Sequence, residues 1–252
     1  MRSAGRLGGS GDARLFVALA LAVSCLAGPV RAEGKLAVRV EGVGADRTLP
    51  LSAAFCAPPS IAPDRFNISP AMSWSGAPQG VKSYVVLMTD LDVPTDLSLI
   101  NKPGVVIPME FPRQPFIHQV LIDIPPGRTY LAKGVESDGF VAGPRPIGKT
   151  DHGVRGANVY SNLHPKDSPL AGPRGGYDGP CPPHNDPKPH RYLFSVYALD
   201  IDTLGLEGLF FGEAVLERMK GHILAEGHVE TLYGGLSRGG LGRDLRVNPT
   251  EF

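Results

Sequence analysis

Three stretches of this chain carry a period-two pattern of side chains, and no helical pattern comes between them. Ser83–Asp90 puts Tyr84, Val86, Met88 and Asp90 on one face. Phe116–Ile124 does the same for Phe116, His118, Val120, Ile122 and Ile124, and His190–Leu199 for His190, Tyr192, Phe194, Val196 and Ala198. Strands that follow one another without crossover helices pair antiparallel, which argues against a parallel α/β sheet. Two shorter strands are expected at Leu36–Val40 and His228–Tyr233. One helix is expected over Gly212–Ala225, with Val215, Met219 and His222 on one stripe beside Leu216 and Ile223. The expected fold is mainly β: an antiparallel β-sandwich with one or two peripheral helices.

Long loops separate these strands, at about 91–115 and 128–189. The chain holds 32 glycines and 25 prolines, spread rather than clustered, as many turns around short strands require. The stiffest loop runs Gly176-Tyr-Asp-Gly-Pro-Cys-Pro-Pro-His184. Pro180, Pro182 and Pro183 fix φ at three of four consecutive positions and supply no N–H. A loop whose shape needs little ordering on binding suits the wall of a small pocket.

With 252 residues, 42% hydrophobic and 20% charged, the chain has room for one sizeable core. Residues 1–32 read as a signal peptide: Arg2, Arg6 and Arg14, then the apolar run Leu15–Ala27, then Val30-Arg31-Ala32 before the cut. A lipoprotein-type cut before Cys25 is a looser match. Residues 33–252 would form the mature domain, with 239–252 as a poorly anchored tail. This places the protein in the periplasm or outside the cell, with no transmembrane segment in the mature chain. Formal net charge is zero and there is no basic block, which excludes nucleic-acid binding driven by phosphate neutralisation. Cys56 and Cys181 can pair in an oxidising compartment, but sequence does not place them within bridging distance.

Asp90 ends its strand, while His118 and His190 begin theirs. If the first strand runs antiparallel to the other two, Asp90, Asp92, His118 and His190 converge at one edge of the core. A lone histidine on an apolar face is more often a satisfied core residue; two histidines and two aspartates at compatible strand ends make a site an equal contender. Inward N–H groups would donate to a phosphate or carboxylate, and an aspartate would favour a protonated histidine and attract an amine. Two His and two Asp could also ligate a metal, but no tight ligand spacing supports that. No cofactor is expected.

Several blocks resemble the phosphatidylethanolamine-binding protein family, in its bacterial Raf-kinase-inhibitor-like branch. They are Asn67–Trp74 with Gly76-Ala-Pro78, Lys82–Pro94 with its Asp90-Leu-Asp92, His118–Pro125, Gly176–Pro183, His190-Arg-Tyr192 with Tyr197–Asp200, and Gly221–Ala225. The resemblance implies an anion pocket lined by Asp90, Asp92, His118, Gly179, Pro182, His190 and Tyr192. The chain departs from the family pattern in having His118-Gln119 for His-Trp and Asp90-Leu91-Asp92 for Asp-Pro-Asp. Gln119 is expected to face away from His118.

The expectation is a secreted, non-enzymatic binding protein for a small phosphorylated or zwitterionic molecule. The alternatives are a protein-interaction module or inhibitor of a protease or kinase acting through its loops, and an acid/base enzyme on a phosphoester. Three local features read as decoys or packing. Gly235-Leu-Ser-Arg-Gly239 fits a hydrolase elbow, but no histidine follows it. Asn67-Ile-Ser69 fits a glycosylation sequon. His222 reads as a helix-face residue.

Overall fold

The computed structural model describes residues 34–56 and 62–234. The expected signal peptide, the Gly235–Gly239 motif and the 239–252 tail lie outside the described residues. The described residues hold ten strands: β1 (Gly34–Lys35), β2 (Ala37–Val40), β3 (Met72–Ser75), β4 (Ser83–Pro94), β5 (Arg113–Ile124), β6 (Tyr130–Leu131), β7 (Gly148–Lys149), β8 (Val154–Arg155), β9 (His190–Leu199) and β10 (Ile223–Tyr233). They form a large sheet ordered β1-β10-β9-β4-β5-β8-β7 and a small one ordered β2-β3-β6.

β4 is central and pairs antiparallel with both β5 and β9. Both of its faces are covered, which is why Tyr84-Val-Val-Leu-Met88 reads as an unbroken apolar run. Tyr84, Val86 and Met88 join Tyr192, Phe194, Val196 and Ala198 in one core cluster, together with Met72 and Trp74 of the small sheet. Val85 and Leu87 enter a second cluster on the opposite face, with Phe210, Val215 and Met219. The last two belong to α1 (Gly212–Met219), the one α-helix among the described residues, so the sandwich carries a single peripheral α-helix.

Three expectations need correction. The helix stops at Met219 rather than Ala225, because Gly221 takes φ +80° and turns the chain into β10. His222 therefore lies outside the helix, with Nδ1 3.0 Å from Asp200 Oδ1. The alternation in β5 is also broken. Met88 pairs with Gln119 and Thr89 with Ile117, so His118 is an extra residue in a bulge; a second bulge falls between the Tyr84–Ile124 and Val86–Leu121 pairs. As a result His118 meets the first core, whereas Val120 and Ile122 pack in the second. Gln119, paired with Met88, shares the first-core face instead of opposing it.

Candidate functional site

The antiparallel pairing of β4 with β9 sets Asp90 opposite Tyr192, and its pairing with β5 sets Asp90 opposite Phe116. One strand's C-terminal half thus lies beside the N-terminal ends of two others. The bulge at His118 turns that ring toward the same place. Its centroid lies 5.6 Å from that of Tyr192, with the rings perpendicular.

His190 is buried, and both ring nitrogens are engaged. Nδ1 lies 2.8 Å from Asp90 Oδ2, and Nε2 lies 3.2 Å from Asp186 Oδ2. Burial works against its charge, but hydrogen bonds and attraction from Asp186 and Asp90 outweigh that and push its pKa to about 9. It is an imidazolium at neutral pH. Asp186 is aimed by an Asx turn, accepting from the Lys188 N–H at 3.0 Å, and by the Arg113 guanidinium, which forks onto both carboxylate oxygens.

His118 behaves oppositely. Burial lowers its pKa, against the pull of Asp90 and Asp178, so it is neutral at pH 7. Its Nδ1–H donates to the Asp178 carbonyl at 3.0 Å, and Asp178 N–H donates to the His118 carbonyl at 3.2 Å. The tautomer that this fixes leaves Nε2 with a lone pair, an acceptor.

Tyr192 is fully buried, and its hydroxyl has no hydrogen-bond partner of normal geometry. Burial and the Asp90 carboxylate, which the hydroxyl faces, raise its pKa well above 10, against the opposing Cys181 backbone N–H, so it keeps its proton. A buried hydroxyl left without a partner costs about 1–3 kcal/mol. Tyr160, from a single 3-10 turn (Val159–Asn162), sets its ring edge-on to His118 at 5.2 Å.

Beneath His118 lies a buried polar floor. Asp178 accepts from Arg174 Nε (2.8 Å), Asn67 Nδ2 (2.9 Å) and Asn158 Nδ2 (2.9 Å), with Arg145 at 3.1 Å. Burial opposes its charge, yet the two guanidiniums hold the carboxyl below its usual range. Asn67 is completely buried and so offers no amide for glycosylation in the folded protein.

The proline loop forms the wall. A Cβ on Gly179 would fall 1.8 Å from the Ala53 carbonyl oxygen, so only glycine allows this approach. Phe55 N–H donates to the Pro180 carbonyl at 2.9 Å, and Cys56 is bonded to Cys181 with Cα atoms 5.1 Å apart. Pro182 packs against Gly234.

Asp90, His118, Gly179, His190 and Tyr192 therefore come together. The carboxylate of Asp92 is engaged elsewhere. It accepts from the Arg191 N–H (2.9 Å) and Nε (2.8 Å), and meets Lys188 Nζ at 2.8 Å. Arg191 is exposed, one residue out of phase with His190 and Tyr192. Burial would raise the Asp92 pKa, but these cations lower it strongly. Sequence reasoning missed Asp186, Tyr160 and Asp178. Asp178 lies inside the proline-loop block; Asp186 and Tyr160 lie in long loops with no periodicity to mark them.

A family model for phosphatidylethanolamine-binding protein matches residues 42–234. The chain belongs to the phosphatidylethanolamine-binding protein family. It is 35% identical over 170 residues to a UPF0098 protein of Methanothermobacter thermautotrophicus, covering 68% of this chain and 85% of that one. It is 28% identical over 172 residues to the UPF0098 protein YbhB of Escherichia coli, covering 68% and 84%. Among solved structures, a phosphatidylethanolamine-binding protein homolog from Chlamydia trachomatis aligns with TM-score 0.52 and 25% identity, over 79% of this chain and 97% of that one. Escherichia coli YbcL aligns with TM-score 0.52 at 23% identity, over 80% and 98%, and shows the shared fold. The phosphatidylethanolamine-binding protein match spans every residue of the candidate site and all strands from β3 to β10.

Proposed function

We propose that this member of the phosphatidylethanolamine-binding protein family is an exported, non-enzymatic binding protein for a small phosphorylated or zwitterionic molecule of the phosphoethanolamine type. The observation that carries this reading is the buried Tyr192 hydroxyl, which makes no hydrogen bond of normal geometry and is set among Asp90, His118 and the proline loop. A folded protein bears that cost without return unless something fills the missing bond. The neutral His118 Nε2 offers a lone pair and the Asp90 carboxylate attracts a cation, so an ammonium-bearing head group finds partners there. A disulfide and three prolines hold the wall, so little ordering is lost on binding. Both nitrogens of His190 are occupied, so it offers no free base, and the open Nε2 of His118 serves as an acceptor for the ligand.

The paired cysteines suit an oxidising compartment, and the apolar run after Arg14 suits export. Nuclear magnetic resonance titration of residues 33–252 with phosphoethanolamine tests the site. Shifts confined to His118, Tyr192, His190 and the 177–183 loop are expected. No shift at millimolar ligand would end the head-group reading.

A further inference from the structure

The donor count at the site sets a condition on its ligand. A fully ionised oxyanion brings only acceptors and needs N–H or O–H groups to meet it. His190 has none to spare, with Nδ1–H given to Asp90 and Nε2–H to Asp186. His118 gives its only proton to the Asp178 carbonyl. What remains is one hydroxyl donor, Tyr192, which already lies toward the Asp90 carboxylate and the Cys181 backbone N–H without a bond of normal geometry, and one open acceptor, His118 Nε2.

We propose that Asp186, held by Arg113, is a specificity-determining residue: by occupying the outer N–H of His190 it turns fully ionised oxyanions away, so the site takes ligands that carry a proton of their own. This rests on the head-group reading above and names the class within it. An ammonium, or the remaining P–OH of a monoprotonated phosphate ester, supplies the donor that His118 Nε2 or Asp90 lacks. Arg113 does not depend on Asp186 alone. It also donates to the carbonyls of Asp92 (2.9 Å), Phe111 (3.0 Å) and Pro108 (3.1 Å), so removing the carboxylate leaves no stranded guanidinium.

The charged and titratable groups around the site are Asp90 and Asp92 from β4, His118 from β5, Tyr160 from its 3-10 turn, Asp178 and Asp186 from the loops, and His190, Arg191 and Tyr192 from β9, with Arg113 and Lys188 outside them. His118, and His164 stacked on Tyr160, could imitate the expected pH behaviour by gaining a proton at low pH.

The probes are methyl phosphate, whose second pKa is about 6, and sulfate, which stays a dianion. Calorimetric titrations at pH 5.5 and pH 7.5 would use the wild type and Asp186→Ala. The wild type is expected to bind methyl phosphate at least fivefold more weakly at the higher pH and to ignore sulfate at both. Asp186→Ala, with its fold checked by thermal melting, is expected to gain sulfate binding and to lose most of that pH dependence. Asp186→Asn, which keeps the side chain's shape, is expected to fall between them. Sulfate binding to the wild type at pH 5.5 would assign the effect to a histidine other than His190 and overturn the proposal, as would an Asp186→Ala variant with unchanged selectivity. Failure of the wild type to bind methyl phosphate and phosphoethanolamine alike would overturn the head-group reading as well. Binding of both phosphates and sulfate without pH dependence would overturn the Asp186 role and leave that reading standing.

Discussion

His190 Nδ1 lies 2.8 Å from Asp90 Oδ2, a contact that closes across 100 residues of chain. The register of β4 on β9, in which Asp90 faces Tyr192, makes it possible, and Asp186 on the other ring nitrogen completes it. Together they keep a buried imidazole charged where burial alone would strip its proton.

That charge ties stability to pH. The folded pKa of His190, about 9, stands above the ordinary 6.5. Its stabilisation is therefore fully present below 6.5 and lost as pH rises through 9. The gap corresponds to about 3 kcal/mol. Denaturant melts from pH 6 to pH 10 should show the midpoint falling over this window. Asp90→Asn should lower the His190 pKa, read directly from its ring proton shifts, and flatten the fall.

Asp178→Ala should be among the most damaging single changes. It leaves Arg174, which is fully buried, and Arg145, 9% exposed, without their carboxylate. Breaking such a buried pair costs about 3–5 kcal/mol. Urea melts would show it, and His118, which shares two hydrogen bonds with the Asp178 backbone, should shift in the spectrum of whatever remains folded.

Gly179→Ala places a methyl against the Ala53 carbonyl, and neither partner is a flexible side chain. A loss of about 2 kcal/mol or more is expected, with the proline loop displaced from the site. A melt that matches the wild type would show the wall to be softer than its geometry implies.

Replacing both Cys56 and Cys181 by serine opens a loop of 125 residues in sequence. The expected cost is about 2–4 kcal/mol. Binding should persist, more weakly, because the Phe55 N–H bond to Pro180 still holds the loop.

The parts of the fold that were legible in sequence are those where one rule acted alone. β4 and β9 alternate without interruption through the core, and their faces were assigned correctly from period two. β5 obeys the same rule only between bulges, and a bulge is a backbone decision that side-chain spacing does not announce. The helix was overextended because Ile223 and Leu224 continue a helical stripe, while Gly221 ends it. In the candidate site, the meeting of Asp90 and His190 follows from strand direction, although β4 runs on past Asp90 to Pro94; His118, mid-strand in β5, reaches them through its bulge. Asp186 could not be read, since its position depends on an Asx turn and on Arg113, 73 residues away. The Asp-x-Asp block suggests a common direction for Asp90 and Asp92, but the pairing shifts register between Asp90 and Val93, and Arg191 and Lys188 hold the Asp92 carboxylate.

The most direct test of the account is the binding of phosphoethanolamine to the wild type and to Tyr192→Phe, measured by calorimetry, with the stability of both ligand-free proteins measured alongside. The hydroxyl makes no hydrogen bond of normal geometry within the protein, so its removal should stabilise the fold by about 1 kcal/mol while weakening binding roughly tenfold. Unchanged affinity, or a variant that is less stable than the wild type, would show that the hydroxyl is not held for a ligand and would contradict the account.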